Sequence, residues 1–185
     1  MSEVVIVSAV RTPIGKRGGW LREIPPVRLG SQILCEALAR ANLDPALVDD
    51  VIAGCVSQVG EQALNVARNA WLAAGLPQTV PGTTVDRQCG SSQQAAHFAA
   101  QAVMSGACDL VVAGGVESMS RIPMGTSIQS GGFPFTQVMF ERYEGNLVPQ
   151  GISSELIAAK WGLTREQVDE VGFRSQQRAQ QATKE

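Results

Sequence analysis

Thr84-Val85-Asp86-Arg87-Gln88-Cys89-Gly90-Ser91-Ser92-Gln93-Gln94-Ala95 changes its character part-way along. Thr83, Thr84 and Val85 read as a short strand. From Cys89 to about Ser105 the chain reads as a long helix built on Ala95, Ala96, Phe98, Ala99, Ala102 and Val103, and Gly106 closes it. No charged residue occurs between Arg87 and Asp109. A helix so free of charge belongs in a protein centre or a subunit interface.

The same alternation extends in both directions. Residues 4–10 form a β-branched run, apolar on both faces, as in a buried parallel strand. Leu29, Ile33, Leu34, Ala37, Leu38 and Ala41 mark one face of a helix that Asn42-Leu43-Asp44-Pro45 stops. Residues 51–56 read as a second strand, Ala63 to Ala74 as a small-residue helix, and residues 110–113 as a further strand. Strand and helix alternate four times and three times, which predicts an α/β sheet covered by helices. The first domain is expected to span 1–120.

Residues 121–185 differ in character. Phe133, Phe135, Phe140 and Tyr143 lie close together among Pro and Gly, which suits a packed excursion, either an ordinary structured loop or a lid. A helix is expected from about Ser153 to Trp161. Thr164-Arg165-Glu166-Gln167 has the form of a capping box opening a last helix to about Ala182.

Composition narrows the function. The chain has 185 residues, 44% hydrophobic and 17% charged, enough to bury a core. Lys and Arg total 15 against 17 Asp and Glu, for a net charge of -2, which argues against a nucleic-acid partner or a basic membrane patch. No run of about 18 apolar residues predicts a membrane span, and residues 1–3 lack the start of a secretory signal. The expected setting is the cytoplasm. One His and four scattered Cys, without a C-x-x-C pair, argue against a zinc site.

Cys89 sits where a strand passes into a helix. Free backbone N–H groups and the helix dipole there favour negative charge, and thiolate is the reactive form of cysteine. The same amides can stabilise an oxyanion. Gly90 leaves room for a substrate to approach. The competing reading is an inert packing cysteine. Cys35, Cys55 and Cys108 read as small core fillers. His97 lies eight positions along the same helix, on the order of 12 Å from the thiol at the helical rise, too far for direct proton transfer and better suited to a structural role. Gly114-Gly115-Val116-Glu117-Ser118 lacks both common phosphate-loop patterns, so it reads as tight packing at a strand end, with Glu117 hydrogen-bonding inside that turn.

Five segments in order resemble the thiolase family. They are Val7-Ser8-Ala9-Val10-Arg11-Thr12-Pro13-Ile14-Gly15, the segment from Asp86 to Ala95, Ala113-Gly114-Gly115-Val116-Glu117-Ser118-Met119-Ser120, Gly151-Ile152-Ser153-Ser154-Glu155 and Ser175-Gln176-Gln177-Arg178-Ala179. The resemblance implies a thiolase-like N-terminal βαβαβαβ half with helices on a mixed sheet, followed by the beginning of a loop (lid) domain at 121–185. It implies that Cys89 holds an acyl group as a thioester, either in cleaving a 3-oxoacyl-CoA with CoA or in condensing two acyl-CoA, and supplies its backbone N–H to the oxyanion. Acyl-CoA and CoA are then the substrates, with no separate cofactor and no metal.

The family's second half carries Asn-Glu-Ala-Phe, Gly-His-Pro and Cys-Gly-Gly motifs that move the protons, and none of them occurs in these 185 residues. The chain therefore looks like the N-terminal half of a thiolase. By itself it is expected to lack substantial activity, and to need a C-terminal half, within a homodimer or homotetramer. Pro149-Gln150-Gly151 stands where many biosynthetic members have His-Met-Gly, which makes Gln150 a candidate substrate contact and suggests longer or bulkier acyl chains. Two other readings are a non-catalytic scaffold or assembly subunit that keeps the fold, and a relative of the decarboxylating ketoacyl synthases.

Overall fold

Three short strands, β1 (Asp50–Gly54), β2 (Gly82–Val85) and β3 (Val111–Gly115), lie in the order β2-β1-β3. The computed structural model describes residues 3–129 and 131–185. Val51 stands opposite Gly82 and Asp50 opposite Val111, both pairings parallel. The sheet of the described residues is therefore parallel throughout, where a mixed sheet was expected. The reason lies in the connections. Each strand reaches the next through a helix, and such a crossover returns the chain in its original direction.

Helix α1 (Pro26–Ala41) begins with proline at its first position and ends on Asn42 in the left-handed region, φ 52°. It buries Leu29, Leu34 and Leu38, three residues of the expected face. Helix α2 (Val66–Ala73) starts later than its small-residue pattern suggested, because Leu64 and Asn65 both have positive φ. The Asn65 side chain accepts from the Arg68 N–H and caps the helix. Helix α3 (Ser91–Ser105) ends on left-handed Gly106.

The sheet order sends α2 and α3 to opposite faces. Val51 and Ala53 pack with Leu34, Leu38, Ala67, Ala70 and Trp71 of α1 and α2. Trp71 is fully buried, and its indole N–H donates to the Pro77 carbonyl at 2.8 Å. Truncating such a residue typically costs ~3–5 kcal/mol.

The first expected strand does not form. Residues 4–10 join no ladder, and Val5, Ile6 and Val7 are exposed. A strand must be held about 4.8 Å from its neighbour to exchange backbone hydrogen bonds. Here the run faces the open side of β3 across a cleft of about 1440 Å³, lined also by Ile33 and Ala37 of α1 and Val103 of α3. Its apolar pattern is right for a strand, but no described segment lies beside it to pair.

The chain divides into two units, Met1–Gly132 and Phe133–Glu185. The expected boundary after residue 120 falls inside the first unit. Arg121 is paired with Glu61 through two N–O contacts of 2.5 and 2.6 Å, and Ile122 is buried. The second unit contains α4 (Gln137–Arg142), α5 (Gln150–Trp161) and α6 (Arg165–Lys184). Phe133, Phe135 and Phe140 cluster with ring centroids 5.2 to 6.3 Å apart. The capping box forms as expected. The Thr164 hydroxyl accepts from the Gln167 N–H, and the Gln167 side chain accepts from the Thr164 N–H. Among the described residues, no helix is long and apolar enough to cross a membrane.

Candidate active site

The three strands point the same way, so the segments leaving them gather at one edge of the sheet. The continuation of β2 carries Cys89. Gln88, just before it, has φ 48°, a left-handed conformation that costs a non-glycine residue roughly 1–2 kcal/mol. Local hydrogen bonds hold it there. The Gln88 N–H donates to Asp86 Oδ1 at 2.7 Å. The buried Ser91 hydroxyl accepts from the Arg87 N–H at 2.9 Å and donates to the Gln88 carbonyl at 2.5 Å. The N–H groups of Gly90 and Ser91 close the turn onto the Arg87 and Gln88 carbonyls.

Helix α3 begins at Ser91, two residues later than expected, and Gly90 is its N-cap. Cys89 therefore projects from the turn at the helix mouth. It is exposed, as attack on an external carbonyl requires. Its own N–H donates to no acceptor among the described residues and remains free for an oxyanion.

Two glycines support that helix mouth. A Cβ on Gly54, at the end of β1, would lie 2.3 Å from the Ser92 nitrogen and 2.4 Å from the Ser91 carbonyl carbon. One on Gly115, at the end of β3, would lie 2.8 Å from both the Gly54 oxygen and Ser92 Cβ. The first turn of α3 thus rests directly on the ends of two strands. Tight packing was legible in Gly114-Gly115. The part played by Gly54 was not, and neither were the left-handed Gln88 and the bridging Ser91. A serine two positions after a strand-to-helix cysteine is the only signal that could have marked the bridge.

Glu117 does not bond inside its own turn, as the sequence suggested. It reaches residues 56–62, accepting from the Val56 N–H at 2.7 Å, the Ser57 N–H at 3.4 Å and Gln62 Nε2 at 2.7 Å. A carboxylate has room for several donors, and the neighbouring strand end offers more than its own turn does.

Cys55 is buried, as expected of a core filler, and its thiol lies 3.8 Å from Glu117 Oε2. Burial first, and then the Glu117 charge, push this thiol up to about 12 from an ordinary 9.0. The folded form therefore holds a proton that the unfolded chain releases above pH 9. Stability from this residue is complete below pH 9 and is lost as pH rises toward 12, at about 1.4 kcal/mol per pH unit. Urea unfolding from pH 8 to 10.5 should show that slope, and Cys55→Ala should reduce it. An equal slope in both proteins would assign the loss to other groups.

Cys35, Cys108 and His97 sit differently from expectation. Cys35 is exposed, because the 100° turn from Leu34 carries it off the buried face of α1. Cys108 is partly exposed, with its thiol pushed up by desolvation and then by Asp49, Asp50 and Asp109. His97 is exposed on α3 and makes no side-chain hydrogen bond among the described residues, so the structural role anticipated for it is not seen. Gln150 is the first residue of α5, in the second unit.

The family model described as "Thiolase, N-terminal domain" matches residues 4–185. The chain belongs to the thiolase family. It is 52% identical to the steroid 3-ketoacyl-CoA thiolase FadA6 of Mycobacterium tuberculosis, over 97% of this chain and 46% of that protein. It is 43% identical to a 3-ketoacyl-CoA thiolase of Pseudoalteromonas translucida, over 100% of this chain and 47% of that one. Its fold is similar to the crystal structure of the Bacillus anthracis acetyl-CoA acetyltransferase, with a TM-score of 0.79 and 39% identity, covering 97% of this chain and 47% of that chain. The chain thus spans about half the length of these thiolases.

Proposed function

We propose that this chain supplies the nucleophile of a thiolase-type acyltransferase acting on 3-oxoacyl-CoA and CoA. The observation that carries the reading is the exposed Cys89 on a strained, hydrogen-bonded turn at the mouth of α3. The Cys89 thiolate attacks the 3-oxo carbon, and the resulting oxyanion accepts from the Cys89 N–H. The bond between C2 and C3 breaks. The acyl group stays on sulfur, and acetyl-CoA departs as an enolate that takes up a proton. CoA, as its thiolate, then attacks the thioester, releasing the shortened acyl-CoA and restoring the Cys89 thiolate.

The proton donors and acceptors for these steps belong, in this reading, to a C-terminal half. The separation of His97 from Cys89, eight residues or on the order of 12 Å at the helical rise, supports placing them outside these residues. Phe98 and Met104 are exposed on the uncharged α3, which supports pairing of copies through that helix into a dimer or tetramer. Gln150 is proposed as a contact for the acyl chain. The steroid substrate class printed in the name of the 52% identical relative supports a bulky acyl group. The proposed setting is the cytoplasm.

Incubation with acetyl-CoA near neutral pH should place one acetyl group on the Cys89 peptide and none in Cys89→Ala, read by peptide mass spectrometry. Sustained thiolysis should not follow from the chain alone. Absence of the adduct from folded protein, together with iodoacetamide labelling of Cys89 no faster than that of exposed Cys35, would defeat the reading.

A further inference from the structure

The Cys89 turn stands on the ends of β1 and β3, and those ends are bridged by one side chain. Glu117 lies two residues beyond Gly115. The backbone N–H groups it accepts, from Val56 and Ser57, lie two and three residues beyond Gly54. Between these points the Val116 N–H donates to the Gly54 carbonyl at 3.0 Å. Gln62, fully buried, completes the clamp. Its Nε2 donates to Glu117 and to the Ser57 carbonyl, and its Oε1 accepts from the Ser118 N–H at 2.8 Å. We infer that Glu117 is a positioning residue for the Cys89 nucleophile, tying together the two strand ends on which the first turn of α3 rests. This inference rests on the reading of Cys89 as nucleophile.

The chemistry requires a carboxylate. Both Glu117 oxygens face only donors, Val56 N–H and the Cys55 thiol on one side, Ser57 N–H and Gln62 Nε2 on the other. An amide at this position must turn its own NH2 toward one of these pairs. One strand end then loses its tie, and Gly54 and Gly115 are free to shift relative to each other. Because the packing of those glycines against Ser91 and Ser92 is so close, the shift passes to the Cys89 turn.

The test compares Glu117→Gln with the parent chain in iodoacetamide labelling. Cys35, exposed on α1, serves as the internal standard. The Cys89 to Cys35 rate ratio should fall about fivefold or more. Hydrogen-exchange protection of the Ser91 and Gln94 amides, both bonded in this turn, should fall with it. Leu38→Ala, which destabilises the core away from the site, should leave the ratio unchanged. Direction separates positioning from simple electrostatics, since losing a negative charge cannot by itself make a thiol less reactive. An unchanged or raised ratio in folded Glu117→Gln would overturn the inference. Should that variant not fold, Gln62→Met keeps the bulk, removes half of the clamp and should show a smaller fall; an unchanged ratio there overturns the inference equally. A parent ratio near one would defeat the nucleophile reading instead. Exchange protection would then still decide whether Glu117 orders the turn.

Discussion

Iodoacetamide is expected to label Cys89 first among the four cysteines of the folded chain. The rate should be about 10-fold above Cys35 and at least about 1000-fold above Cys55. Burial and charge act together on Cys55. With its thiol pushed up to about 12, only about one molecule in ten thousand carries a thiolate at pH 8, and the residue is 1% exposed. Cys35 is reachable but lies inside α1, where the backbone N–H groups are already bonded. Cys89 is reachable and projects from the turn at the mouth of α3, with its own N–H bonded to no acceptor among the described residues. Timed labelling followed by peptide mass spectrometry measures all four rates in one experiment. In urea the four rates should converge, which ties the selectivity to the fold. Equal labelling of Cys89 and Cys35 in folded protein would remove the case for a nucleophile and favour a scaffold role.

The sequence carried most of this site at the level of elements. The strand ending in Val85, the helix closed by Gly106 and the small residues of α3 were all readable from local pattern, because each answers to a period of two or of 3.6 residues. Thr164 and Gln167 were readable for the same reason, since a capping box is local. Long-range pairing was not. Residues 4–10 have every local mark of a strand, yet a strand exists only when a second backbone stands beside it, and pattern cannot show the neighbour. Glu117 was assigned to its own turn because its partners, Val56 and Gln62, lie 61 and 55 residues earlier. Cys89 was identifiable as the candidate nucleophile. What holds it in place comes from the ends of two other strands.

That dependence gives the strongest structural prediction, a series of three single substitutions at neighbouring glycines. Gly54→Ala puts a methyl 2.3 Å from the Ser92 nitrogen and 2.4 Å from the Ser91 carbonyl carbon. Both are backbone atoms inside a turn fixed by Ser91, so they cannot swing aside as a flexible side chain would. Overpacking typically costs ~1–3 kcal/mol, and more where the neighbours are rigid. About 3 kcal/mol or more is expected here, or roughly 6–12 °C in melting temperature for a chain of this size. Gly115→Ala meets the Gly54 oxygen and Ser92 Cβ at 2.8 Å, a milder overlap that should cost ~1–3 kcal/mol. Gly114→Ala, one residue earlier in the same strand, meets nothing within 4 Å and should change stability by no more than about 0.5 kcal/mol. Denaturant midpoints give the order, and Cys89 labelling in the variants that fold shows whether the turn has moved. The two overlapping methyls should slow labelling, while Gly114→Ala should leave it at the parent rate. If Gly54→Ala matched Gly114→Ala in both measurements, α3 would not rest on β1, and the site would have to be held in another way.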